Sequence, residues 1–264
     1  MFSDAFFVAY KAQDAAHPHF GAQTGISSED WWRKVVRDTY DAVPHIDSEP
    51  GLREELEAEG EDTLFDAVFH TLHNEVFTTA DGWELRAGVK LALENFSKWK
   101  ASPGGPTHLG LISNFDERLH PLIENLGIAQ HFDFILTSRE AGESKPSRGL
   151  FDAALVKAGN CSPGEAVHVG DSFKNDVTGA ADAGWHAIFI PSMEEIVSSP
   201  ASSNAGPHAI EGASTPVEGT KFSQVGDLFG VLNMFGKAPE QRIISTTRHI
   251  TEAGNFGMTD YTFD

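Results

Sequence analysis

The chain has 264 residues, 40% of them hydrophobic, and 39 acidic side chains against 19 lysines and arginines, a formal charge of −20. That length and apolar content suit one sizeable core, or one core with a small accessory domain. A surface this negative repels nucleic-acid backbones and anionic lipid headgroups, which excludes nucleic acid and membrane as expected partners. The one cysteine, Cys161, leaves no intramolecular disulfide and suits a reducing compartment. The N-terminal stretch has no basic segment, and Asp4 and Lys11 interrupt its apolar residues, unlike a secretory signal. No apolar run approaches the roughly 20 residues that span a bilayer. The expectation is a soluble intracellular protein, in cytoplasm or nucleus.

Residues 2–100 carry helical patterns. Phe2, Phe6 and Tyr10 recur at i, i+4 and i+8, one apolar stripe. In SSEDWWRKVVRDTYDAV, Ser27 or Ser28 precedes Glu29 and Asp30 as an N-cap with first-turn acids. Trp31, Trp32, Val35, Val36 and Tyr40 then follow at helical spacing. EDTLFDAVFHTLHNEVF repeats the pattern with Leu64, Phe65, Val68, Phe69, Leu72 and Val76, and residues 85–100 predict one more helix. No strand pattern precedes residue 107.

The pattern then changes. Short apolar runs at 107–114, 132–138, 165–171 and 186–191 read as strands. Between them, 116–127, 147–159 and a segment from 173 read as helices, with Gly127 and Gly159 as stops. Strands alternating with helices over short loops predict a parallel sheet with right-handed crossovers, an α/β fold. Residues 197–220 are rich in Ser, Ala, Gly and Pro and read as a linker. Residues 222–235 predict a last helix. Within the weakly patterned tail, 242–250 has strand propensity but no clear place.

In an open parallel sheet, functional groups collect at the carboxyl ends of the strands. Ser113 and Asn114 end the first predicted strand, Lys145 follows the second, and Asp171 and Asp176 follow the third. A hydroxyl and an amide, a cation and two hard carboxylates together suit a phosphate group with Mg2+. Singly, each has a plainer reading. Ser-Asn suits a turn or cap, Lys145 before Pro146 suits a solvated loop, and Asp176 suits a first-turn acid. Order and spacing together favour the site.

LGLISNFDERL, ESKPSRGLFDAAL and VHVGDSFKNDVTGAADAG resemble the second, third and fourth motifs of the haloacid dehalogenase-like hydrolases. The resemblance covers about residues 2–196. It implies a Rossmann-like parallel sheet core with an N-terminal α-helical cap, and a Mg2+-dependent phosphatase working through an aspartyl-phosphate on a small phosphorylated metabolite. The implied organisation is a cap over 1–84, a hydrolase core over 85–196, a flexible low-complexity loop over 197–221, a C-terminal core helix over 222–237 and a tail over 238–264. The resemblance implies phosphate binding by Ser113 with Asn114 beside it. Lys145 would pair with phosphate and nucleophile. Asp171 and Asp176 would hold the metal, Asp176 on it or just outside, with Ser172 and Asn175 in support. The GDSxxND form favours phosphatases over the metal-free dehalogenases.

The family's first motif, a strand ending in Asp-x-Asp that supplies nucleophile and general acid/base, has no counterpart in the chain. No Asp-x-Asp closes an apolar run, and Asp260 and Asp264 stand too far apart. Asp116 reads as a helix cap. The expected core therefore lacks its first, central strand. The expectation is an N-terminally truncated chain that is inactive by itself, an upstream segment supplying the motif. The alternative is a non-catalytic pseudoenzyme that binds or interacts. Oligomeric state is not legible.

Overall fold

A computed structural model of the protein describes residues 2–43, 61–191, 222–224 and 228–235. The expectations for 197–221 and 238–264, including a strand at 242–250, lie outside those residues. The chain divides into two units, Met1–Lys90 with His108–Ala158, and Leu91–Thr107 with Gly159–Asp264.

In the first unit, α1 (Phe2–Ala16) and α2 (Ser28–Ala42) form a helical pair. The predicted cap is Ser27, whose hydroxyl accepts the Asp30 N–H at 2.9 Å. Glu29 and Asp30 add negative charge beside the positive end of the helix dipole. Trp31 and Val35 of α2 are fully buried with Ala9 and Phe20, and Phe6, Tyr10, Ile26 and Trp32 pack around them. The Trp31 indole N–H donates to the His17 carbonyl at 2.8 Å, so the large ring is buried without an unsatisfied donor. α3 (Glu61–His70) runs into a π-helical turn, Thr71–Val76.

The same unit holds β1 (Gly110–Ser113), α5 (Leu119–Asn125), β2 (Phe134–Thr137), α6 (Ser138–Ala141) and α7 (Arg148–Lys157). The helix between them, α4 (Val89–Lys100), straddles the division between units. β1 and β2 pair in parallel, with Gly110 opposite Phe134 and Ser113 opposite Thr137. Thr137 caps α6 in a capping box with Glu140, which turns the chain sharply out of β2. Leu150, Phe151 and Ala154 of α7 are fully buried.

The second unit holds β3 (Val167–Gly170), a π-helical turn over Phe173–Thr178, α8 (Gly179–Asp182), β4 (His186–Phe189), β5 (Phe222–Gln224) and α9 (Leu228–Met234). Its sheet runs β3-β4-β5, all parallel. The small residues Gly179, Ala180 and Ala181 are buried, and they allow close packing next to β4.

The architecture is α/β and Rossmann-like, with short parallel strands and crossover helices, as the alternating pattern predicts. No strand among the described residues precedes β1. The segment 222–235 is a correction. It opens as a strand, Ala187 of β4 standing opposite Phe222, and its helix begins at Leu228. Pairing to an exposed sheet edge outweighs local helix propensity over three residues. Among the described residues, no helix is long and apolar enough to cross a membrane.

Candidate active site

The five predicted site residues fall in two sets, one in each unit. Ser113 and Asn114 follow directly from β1, whose Ile112 is buried. Asn114 turns its side chain to the Lys145 backbone. Its Nδ2 donates to the Lys145 carbonyl at 2.9 Å, and the Lys145 N–H donates to its Oδ1 at 2.7 Å. One amide thus pairs with both backbone polar groups of a residue 31 positions away. The Lys145 ammonium donates to the Ile112 carbonyl at 3.3 Å, which holds the cation at the carboxyl end of β1. The Lys145–Pro146 peptide is cis. Asn114 and Lys145 are thus joined by hydrogen bonds across 31 residues, with Ser113 next to Asn114 in the chain.

The loop continues into a network that sequence reasoning missed. Asp116 is not a simple helix cap. It is fully buried, and its carboxylate receives Arg118 in a bidentate ion pair. The Arg118 backbone N–H also donates to it at 3.0 Å, and the Trp32 indole N–H at 2.6 Å. The Arg118 guanidinium lies 4.9 Å from the Trp32 ring centroid, a cation–π contact. Burial alone pushes Asp116 up. The hydrogen bonds and charge of Arg118 outweigh it and leave the carboxyl below its ordinary value. Nearby, Ser28 donates to Glu117, and Arg139 pairs with Glu117 at 3.0 Å while donating to the Ile26 carbonyl at 2.9 Å. These bonds tie the α1–α2 pair to the loop after β1. The only sequence signal was an Asp-x-Arg step beside the Ser-Asn pair, and its indole partner lies 84 residues away.

In the second unit, Asp171 follows β3 and is exposed, while Asp176 is buried. The Asp176 carboxylate accepts the Ser172 backbone N–H at 2.9 Å on one oxygen and His168 Nε2–H at 2.9 Å on the other. The Ser172 hydroxyl accepts the Asn175 N–H at 3.2 Å, so Ser172 and Asn175 support this turn. His168, also missed, sits buried in β3. A histidine inside the apolar run VHVG was its visible trace.

Among the described residues, no three His, Cys, Asp or Glu side chains gather as a metal cage. The exposed Asp171 carboxylate suits Mg2+, which accepts one or two carboxylates and keeps several waters.

The chain belongs to a hydrolase class: the haloacid dehalogenase-like hydrolase family profile matches residues 4–184. Among individual proteins, the chain is similar to haloacid dehalogenase-like hydrolase domain-containing protein 3. The bovine form is 30% identical over 192 residues, covering 73% of this chain and 68% of the relative. The Xenopus laevis form is 32% identical over 192 residues, covering 70% and 67%. A solved 2-haloacid dehalogenase from Pseudomonas syringae pv. tomato superposes with a TM-score of 0.54 at 22% identity, over 88% of this chain and 80% of its own. It supports the fold.

Proposed function

We propose that the chain carries most of a phosphatase-type member of this family, which hydrolyses small phosphomonoesters with Mg2+. In this reading, residues 1–84 serve as the cap and 85–196 as the hydrolase core. Ser113 binds the transferred phosphoryl group with Asn114 beside it, Lys145 neutralises its charge, and Asp171 holds the metal with Asp176 on it or just outside. The observation that carries the reading is the paired hydrogen bonding between the Asn114 side chain and the Lys145 backbone, 2.9 and 2.7 Å. It brings a hydroxyl and a cation from distant segments to one strand end. When bound, the metal neutralises phosphate charge and orients the group for in-line attack.

Lys145 supplies a fixed positive charge to a phosphate oxygen. Ser113, half-buried, presents a hydroxyl donor at the strand end. The chain's own residues therefore bind and orient a phosphate. None of them is an Asp-x-Asp pair that would attack phosphorus and shuttle the proton. The 264-residue chain alone is accordingly proposed to be inactive, and the full activity to require a segment that brings that pair.

The test compares the 264-residue chain with one extended by a strand ending in Asp-x-Asp, over a panel of phosphomonoesters with and without Mg2+. The expected result is Mg2+-dependent release of phosphate by the extended chain only. A folded, Mg2+-binding extended chain that hydrolyses nothing overturns the reading. The missing Asp-x-Asp also motivates a second reading, a non-catalytic binding protein on the same scaffold. Turnover by the extended chain removes it.

A further inference from the structure

The loop holding Asp171 is built around a carboxylate that faces inward. Asp176 contacts the chain on both sides of Asp171. After it, the Ser172 N–H donates to the Asp176 carboxylate at 2.9 Å. Before it, Gly170 lies so close that a Cβ there would stand 2.2 Å from the Asp176 Cγ. Only glycine leaves room for the carboxylate against the backbone. The Asp176 N–H returns to the Ser172 carbonyl at 2.8 Å, closing the turn. Asp176 is 3% exposed, and its other oxygen is taken by His168 Nε2 at 2.9 Å.

His168 is itself held. It is 8% exposed, in register with Ala187 of β4, and its ring meets Trp185 edge-on at 6.5 Å. Because a carboxylate only accepts, the contact fixes the proton on Nε2. A buried carboxylate is costly unless each oxygen is satisfied. Removing the imidazole takes this bond from the carboxylate and loosens its hold on Gly170 and Ser172.

We infer that His168 is a positioning residue, which locks the Asp176 carboxylate so that it clamps the backbone on both sides of Asp171. Asp171 is then the outward-facing metal ligand, and Asp176 acts mainly behind it. The metal half of this inference rests on the function proposed above; the clamp does not.

The test uses the 264-residue chain without metal, then with Mg2+ alone. His168→Phe removes the donor, and His168→Gln keeps an N–H donor near the Nε2 position. Amide exchange at Ser172 is followed by NMR, with exchange at β4 as the control for folding. The expected result is Ser172 exchange at least about tenfold faster in His168→Phe and close to wild type in His168→Gln, with β4 unchanged. Mg2+ affinity should fall about tenfold in the Phe variant and recover in the Gln variant. Wild-type exchange at Ser172 in folded His168→Phe overturns the inference. So does fast exchange in folded His168→Gln, which decides the matter if the Phe variant does not fold. If the wild type binds no Mg2+, the proposed metal role fails, while the Ser172 readout still decides the clamp.

Discussion

The turn after β1 and the turn after β3 are each fixed by one side chain that uses two atoms. In the first, the neutral Asn114 amide spans 31 residues to the Lys145 backbone. In the second, the Asp176 carboxylate reaches back four residues to Ser172 and eight to His168. The first turn adds a buried ion pair, Asp116 with Arg118, capped by the Trp32 indole. The second buries its carboxylate against the His168 imidazole, with close approach to Gly170. The contrast shows two ways to hold a strand-end group. A long-range clamp joins segments that folding must first bring together, whereas a local clamp forms as the turn forms.

If the first turn depends on its ion pair, Arg118→Met should have the largest effect of any change considered. It leaves the buried Asp116 carboxylate without its counter-charge, at a cost of about 3–5 kcal/mol by urea unfolding. Removing both charges in Asp116→Leu with Arg118→Met should recover much of that loss, because no orphaned charge remains. A double variant as unstable as the single one would show that packing of the guanidinium on Trp32, rather than charge, holds the turn.

This contrast also explains what was legible. Asp171 and Asp176 stand on one local turn, so their spacing in GDSFKND pointed to them directly. Ser113 and Asn114 were visible as the polar end of an apolar run. That Asn114 bonds Lys145, or Trp32 bonds Asp116, depends on folding across 31 and 84 residues, which no local pattern encodes. Asp116 had a local reading as a cap, and tertiary burial overrode it. The strand at Phe222–Gln224 was hidden for the same reason, its strand state coming from the β4 edge. Observed strands are four residues long where apolar runs of six to eight predicted more. Apolar residues continue past the last ladder bond, so hydrophobicity overstates strand length.

The second turn has its own weak point. Gly170→Ala places a methyl group 2.2 Å from the Asp176 Cγ, and that carboxylate is held from two sides. The expected loss is about 3 kcal/mol, the upper end of overpacking costs, measured by chemical denaturation. A loss near zero would mean that Asp176 moves freely, and would weaken the picture of a rigid local clamp.

Asn114→Leu tests the matching feature of the first turn and should cost less, about 2 kcal/mol, since the Lys145 N–H is left unsatisfied in a half-buried site. In the phosphatase reading, the extended chain carrying this change should also lose phosphate affinity, because Lys145 loses its tether. Loss of stability with phosphate affinity unchanged would separate the tether from the binding role.

The smallest effect at neutral pH, and the most specific to the first turn, is acid sensitivity. Asp116 titrates below its ordinary value of 3.8 when folded. Its contribution is therefore complete above about pH 4, and is lost as pH falls below that value and through the folded one, because the unfolded chain takes up the proton first. Wild-type stability should thus fall more steeply below about pH 4 than that of folded Asp116→Asn. The Asn114 amide does not titrate and contributes no slope. If Asp116→Asn keeps the full acid slope, other carboxylates set it, and the ion pair is a packing element whose charge matters little. If the slope flattens, the turn after β1 is held by charge as well as by hydrogen bonds, and acid should release the α1–α2 contact at Trp32 before it disturbs the Asn114–Lys145 pair.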